Sequence, residues 1–134
     1  MISEFIFKKS VWLAVIWTIV IFILCATPGQ YIPSASWLEL LSFDKWVHAS
    51  VFFILASLLI TVSLKYKQGN AIVCFYLSLC ILYGGLLEIM QAKCFSNRSA
   101  DWQDFAANTF GVLVALACIK KFRQAYLPFS SGVS

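Results

Sequence analysis

The chain has 134 residues, a length typical of one domain, and 61% of them are hydrophobic while only 12% are charged. Soluble domains carry about 25% charged residues, and a small chain has much surface to cover, so the composition excludes a soluble globule. The net charge is only +4, and the cations occur singly or in pairs, which argues against disorder and nucleic-acid binding. The mean hydropathy of +0.85 indicates a membrane protein.

Four apolar runs predict α-helices over about residues 10–27, 45–64, 71–91 and 101–120. Each run is close to the roughly 20 residues that cross a bilayer. Lipid offers no hydrogen-bond partner to the edge of an open sheet, so the spans must be helical. The sequence therefore predicts an all-α, polytopic membrane protein: a four-helix transmembrane bundle in a single domain, residues 1–134.

The first run also has some features of a secretory signal peptide, because Lys8 and Lys9 precede its apolar core. Residues 24–27 form a poor cleavage site, since they lack the pattern of small residues that signal peptidases recognise. We therefore predict a retained first helix, with a cleaved leader as the alternative.

Basic residues are distributed unevenly among the segments that connect the helices. The N-terminus, the turn between the second and third helices and the C-terminus contain seven Lys and Arg residues, whereas the other two connections contain three. Because basic residues concentrate on the cytoplasmic side, both termini are predicted to be cytoplasmic.

The five cysteines include no C-x-x-C pair, and the single histidine, His48, has no cysteine near it in the sequence. A zinc site would need several ligands at fixed spacing. We therefore expect neither a metal nor another cofactor.

Polar side chains gather at the predicted outer ends of the helices, although ionisable groups are costly in a membrane and need a partner or a purpose. The second helix begins with Asp44, Lys45 and His48; the third ends with Glu88 and Gln91; and Arg98, Asp101, Asp104 and Asn108 lead into the fourth. Three helices are therefore predicted to bring acids, amides, one imidazole and one guanidinium together.

Helical spacing separates capping residues from the others. Asp44 and Asp101 suit the N-cap positions of the helices that follow them. Asp104 and Asn108 lie one to two turns inside the fourth helix, and Glu88 lies before the end of the third, so capping does not explain these three residues. Since buried ions are seldom kept for stability alone, a functional role is predicted for them.

The ordered set of motifs resembles the VanZ-like family of small bacterial membrane proteins. The motifs are Asp44-Lys45-x-x-His48, Glu88-x-x-Gln91 and Arg98-x(5)-Asp104-x(3)-Asn108-x-x-Gly111, and the match covers residues 27–111. Residues 98–111 are its most specific part. The chain departs from many members at Ser96-Asn97, where they carry Pro-Gly.

The resemblance implies an integral protein of the bacterial cytoplasmic membrane, part of the cell envelope. The family has no established biochemical activity, and its named member is associated with resistance to the glycopeptide teicoplanin. We expect the outer polar residues to bind an amphipathic ligand that is lipid-linked or related to the cell wall. The candidate ligand-binding residues are Lys45, His48, Glu88, Gln91, Arg98, Asp104 and Asn108. Among these residues, the planar fork of Arg98 suits a phosphate or a carboxylate.

Three other functions remain open from the sequence. In an acid–base enzyme acting on a lipid-linked substrate, the candidate catalytic residues are His48, Asp44, Glu88 and Asp104. His48 could equally be a packed, satisfied histidine, and no recognised catalytic motif is present. The chain could also form a dimeric proton-coupled transporter, although Glu88 is too near a helix end for that role. Finally, it could be a structural subunit that binds other envelope membrane proteins.

Overall fold

The computed structural model describes residues 1–27, 43–94 and 101–130 of the chain. Within these ranges the chain forms five α-helices and no strand: α1, Ile2–Ala26; α2, Phe43–Lys65; α3, Asn70–Cys94; α4, Trp102–Ala117; and α5, Ile119–Ser130. A short turn joins α2 to α3, and Cys118 separates α4 from α5. The prediction of an all-α fold is confirmed.

Three of the helices, α1, α2 and α3, are long and apolar enough to cross a membrane. The fourth span is broken, because α4 has only 16 residues and the chain bends by 54° between α4 and α5. The described residues therefore contain three candidate spans, or four if the bent pair counts as one. This count is consistent with the predicted polytopic bundle.

Two of the differences from the predicted helix boundaries involve residues near the ends of the chain. The first helix begins at Ile2 instead of about residue 10, and its additional turns bury Phe7. The fourth helix ends at Ala117 instead of about residue 120, and the bend that follows brings Tyr126 of α5 onto Phe7 with ring centroids 5.5 Å apart. Packing of aromatic side chains between the ends of the chain thus accounts for both differences.

The parallel helices α2 and α4 approach each other closely at Gly111. A Cβ atom at this position would lie 2.0 Å from the backbone oxygen of Ala49, so only glycine permits this contact. The first turns of the two helices are consequently side by side.

The hydrogen bonds that attach α1 to the other helices include two from aromatic side chains. The Trp17 indole Nε1 donates to the backbone oxygen of Val51 in α2 at 2.9 Å, and the Tyr83 hydroxyl of α3 donates to the Thr18 oxygen at 2.9 Å. Because lipid cannot satisfy such groups, these bonds favour one arrangement of α1 against α2 and α3.

The first and last residues of helices α1 to α4 lie at two ends of the bundle. At the first, which we call the polar end, α1 and α3 finish while α2 and α4 begin. At the second, the basic end, Lys65 donates to the backbone oxygen of Lys8 at 2.7 Å, and Arg123 donates to the Asn70 side chain. Helices α1 to α4 therefore alternate in direction along the bundle.

Candidate functional site

Seven polar side chains lie together at the polar end, and we call them the polar cluster. They are Asp44, Lys45, His48, Glu88, Asp101, Asp104 and Asn108. Six belong to α2, α3 and α4, and the seventh is the N-cap residue of α4. The cluster assembles because α2 and α4 are parallel and in backbone contact, so that their first turns present polar side chains to each other.

Lys45 links α2 to the start of α4. Its Nζ atom donates to the Asp101 carboxylate at 2.8 Å and to the Asp104 carboxylate, and it lies 3.6 Å from Asp44. The Lys45 side chain is 26% exposed and that of Asp104 only 12%, so this ion pair is largely shielded from solvent. Such shielding makes the loss of one partner expensive.

His48 lies between the carboxylates and Asn108. Its Nδ1 atom is 3.1 Å from the Asn108 side-chain oxygen, while its Nε2 atom is 3.6 Å from Asp44 and 3.7 Å from Asp104. The predicted contact between Asp44 and His48, one turn apart on α2, is confirmed. Asp104 and Asn108 are both buried on one face of α4, as their spacing predicted.

Glu88 joins α3 to the cluster. Its side chain is buried, and its Oε2 atom accepts a hydrogen bond from the backbone N–H of Asp101 at 3.3 Å. One turn away, a Cβ atom at Gly84 would lie 3.3 Å from the Phe52 ring and 3.4 Å from Asn108. The small residue at position 84 therefore lets α3 pack against both α2 and α4.

Asp101 has the predicted capping role and a second one that the sequence did not reveal. It is the N-cap of α4 and accepts from the Gln103 N–H at 2.8 Å, but it also pairs with Lys45. The hydrogen bond from Lys45 is the largest of the effects that lower the pKa of Asp101 from its usual value. Sequence spacing could not show this pair, since its members are 56 residues apart.

Three sequence expectations about this end have different outcomes. Asp44 does not cap α2, because the helix already begins at Phe43 and places Asp44 in its first turn. Gln91 is buried and donates to the Cys25 oxygen of α1 at 3.2 Å, so this amide holds two helices together, and its role in binding stays a prediction. Arg98 lies outside the described residues, and its pairing with Asp104 or Glu88 stays a prediction too.

An apolar groove adjoins the cluster between α2 and α4. Its volume is about 320 Å³, and its lining residues are Lys45, Trp46, Ala49, Ala106, Ala107 and Phe110. The groove exists because three alanines leave space between the exposed rings of Trp46 and Phe110. Lys45 belongs to both the groove and the cluster, so a molecule in the groove can reach the polar end.

No family model, curated protein or solved structure matches this chain.

Proposed function

We propose that this protein is a VanZ-like integral membrane protein of the bacterial cell envelope that binds an amphipathic, lipid-linked or cell-wall-related ligand. The proposal depends mainly on one observation: Lys45 belongs to both the polar cluster and the apolar groove, so the two surfaces are continuous. An amphipathic molecule needs both surfaces, a polar one for its head group and an apolar one for its hydrocarbon chain. The groove volume lies near the lower end of the range for ligand sites, about 300–1,000 Å³.

The charges of the described residues favour particular head-group chemistry. The cluster contains four carboxylates, and its single lysine already donates to two of them. The cluster can therefore offer a ligand mainly carboxylate oxygens, which accept hydrogen bonds from hydroxyl, amide or ammonium groups. The phosphate contact expected of Arg98 would complement these acceptors.

The proposal places the polar end outside the bacterial cytoplasmic membrane and both termini in the cytoplasm. The excess of Lys and Arg in the N-terminal, C-terminal and α2–α3 segments supports this orientation. In that orientation the cluster meets lipid-linked wall precursors on the side where glycopeptides act, which would connect the protein to teicoplanin resistance. Other envelope membrane proteins are further candidate partners.

Binding can be tested with the full chain in lipid nanodiscs. The probes are a polyprenyl phosphate, the corresponding diphosphate and a polyprenol of equal chain length. The proposal predicts that a phosphorylated lipid binds at least about tenfold more tightly than the alcohol, because only a phosphate can use the contact expected of Arg98, whereas the alcohol offers a single hydroxyl group. Equal affinity for all three lipids would show that the cluster does not recognise the head group.

Two substitutions separate the groove from the rest of the lipid-facing surface. Ala106→Trp fills the groove and should weaken lipid binding by about tenfold or more. Leu82→Trp is the matched control, because Leu82 is exposed on α3 and does not line the groove. If both variants bind the lipids as tightly as the parent protein does, the groove does not bind the polyprenyl chain of the lipid.

A second candidate is acid–base catalysis on the same class of ligand. It is favoured by the position of His48, whose Nε2 faces Asp44 and Asp104 at 3.6 and 3.7 Å while Asn108 orients the ring. Incubation of the nanodisc protein with each probe, followed by mass spectrometry of the lipids, would detect a product. An enzyme would form product in the parent protein and much less in His48→Gln, whereas a binding protein would form none.

A further inference from the structure

A second ligand type is suggested by three side chains within the polar cluster, which we call the Asp–His–Asp set: Asp44, His48 and Asp104. Each offers one potential ligand atom, and these atoms all lie within 4.8 Å of one another. Two separations involve the imidazole: Nε2 is 3.6 Å from the Asp44 carboxylate and 3.7 Å from that of Asp104. Both are too long for hydrogen bonds.

The hydrogen bond between His48 Nδ1 and Asn108 determines whether Nε2 carries a proton or a lone pair. Because the Asn108 oxygen can only accept, His48 Nδ1 must donate to it across 3.1 Å. In the neutral imidazole, Nε2 then carries a lone pair, and this atom lies 3.6 Å from the Asp44 carboxylate and 3.7 Å from that of Asp104. Three electron-pair donors consequently lie close together, an arrangement that a cation stabilises.

The separations fit a divalent transition metal ion. Zinc bonds to imidazole nitrogen and carboxylate oxygen are about 2.0–2.2 Å long, so ligand atoms around a tetrahedral ion lie about 3.4 Å apart. The two distances from Nε2, 3.6 and 3.7 Å, need to shorten by a few tenths of an ångström, while the separation of the two carboxylates, which is within 4.8 Å, needs to shorten by up to about 1.4 Å. Asp44 is 64% exposed and could adjust, since it lies at the open side of the set.

The surrounding residues support such a site in three ways. Asn108 orients the histidine through the ring nitrogen opposite the ligating one, as is usual for metal-bound histidines. Lys45 binds one oxygen of Asp104 and leaves the other, Oδ2, toward His48. The carboxylates also outnumber the lysine, so a doubly charged ion would reduce the net negative charge.

We infer that the Asp–His–Asp set binds a first-row divalent cation of the Zn²⁺ or Mn²⁺ class. One nitrogen and two oxygens suit these ions better than the soft Cu(I) ion or the all-oxygen preference of Ca²⁺. The exposed side of Asp44 leaves room for water or another ligand to complete the coordination. Metal binding requires only the protein and the ion, so this inference does not rest on the proposed lipid ligand.

The test is calorimetric titration of the purified full chain, stripped with a chelator, with MnCl₂ and ZnCl₂ separately. The five cysteines are first replaced by serine or alanine, because the exposed Cys74 and Cys94 could bind zinc independently. The expected result is saturable binding of at least one ion at one equivalent per chain. Binding of neither ion would overturn the inference.

Substitutions distinguish coordination from the general acidity of the cluster. Asp44→Asn and His48→Gln should each weaken binding by at least about tenfold, since each removes one of the three proposed ligand atoms. Asp101→Asn is the matched control: it removes a neighbouring charge, keeps an N-cap side chain and meets the ligand set only through Lys45, so it should weaken binding less than either ligand variant does. If the control reduces affinity as much as the ligand variants do, the site is an acidic surface only.

The proposal stays testable if His48→Gln does not fold. Asp44 is largely exposed in the first turn of α2, so Asp44→Asn is expected to fold. In the parent protein, Mn²⁺ bound to the set should give an electron paramagnetic resonance spectrum different from that of the hydrated ion. Unchanged affinity of Asp44→Asn for the ion that the parent protein binds would contradict the assignment, and so would a spectrum of hydrated Mn²⁺ only under conditions in which calorimetry shows that Mn²⁺ is bound.

Discussion

The ion pair between Lys45 and Asp104 should be one of the strongest electrostatic contributions to the stability of the bundle. Replacing Lys45 by Met keeps most of the apolar stem and removes the charge, which leaves Asp104 without its cation in a site that is 12% exposed. Breaking one side of a buried pair costs about 3–5 kcal/mol. Because Lys45 is one-quarter exposed, we expect a decrease of about 2–4 kcal/mol in the free energy of unfolding.

A double-mutant cycle isolates the pair from its surroundings. Lys45→Met, Asp104→Asn and the double variant are unfolded reversibly in mixed detergent micelles, and the coupling energy is calculated from the four free energies. We predict a coupling of at least about 1 kcal/mol, because both charges are partly removed from water.

The exposed pair of Glu4 and Lys8 on α1 provides the matched control. Their carboxylate and ammonium groups are 2.7 Å apart, but the side chains are 45% and 68% exposed. Exposed pairs of this spacing contribute about 0.3–0.5 kcal/mol. If the coupling of Lys45 with Asp104 is no larger than that of the control pair, the polar cluster is solvated and our reasoning on its energetics is wrong.

Three further predictions concern packing, titration and orientation. Gly111→Ala should lower the free energy of unfolding by at least about 1–3 kcal/mol because its methyl group collides with α2, while Gly69→Ala, with no atom within 4 Å, should change it by less than about 0.5 kcal/mol. The lowered pKa of Asp101 means that its ion pair stabilises the fold above the usual carboxyl range and is lost as the pH falls through the lowered value. Carboxyl NMR should therefore give a titration midpoint that rises when the partner lysine is replaced, and an unchanged midpoint would contradict this assignment. In intact cells, a single cysteine at Ser36 should react with an impermeant thiol reagent and one at Gln68 should not, and the opposite pattern would reverse the orientation.

Periodicity and charge predict much of this structure because they depend on local spacing. The apolar runs predict the helices, and the i, i+4 relation of Asp104 to Asn108 and of Asp44 to His48 predicts which side chains share a face. These patterns survive folding because lipid requires the backbone to be helical along its whole length.

The remaining features depend on contacts between residues far apart in the chain. Nothing in the sequence pairs Lys45 with Asp101, 56 residues away, or shows that Gly111 meets the backbone of Ala49. The bend at Cys118 also has no local signal, since it is associated with packing of Tyr126 on the distant N-terminal helix. Long-range packing of this kind is the part that spacing alone could not predict.

The same limit applies to the chemistry of the site. In the sequence, Arg98 is the cation that one expects to pair with Asp104. In the described residues, the cation that pairs with Asp104 is Lys45. The histidine has no ligand partner nearby in the sequence except Asp44, and only the parallel packing of α4 on α2 adds Asp104 as the third member. The proposed metal site combines residues of two helices, so it cannot be recognised from the sequence before the register of the two helices is known.

The most direct test of the central claim, that the polar end and its groove together bind an amphipathic ligand, is photocrosslinking in growing cells. A photoreactive amino acid is placed at Ala106 in the groove and, in a separate strain, at Leu82 on the outside of α3. We predict that mass spectrometry finds a lipid-linked polar molecule attached at position 106 and only bulk phospholipids at position 82. Identical adducts at the two positions would contradict the claim.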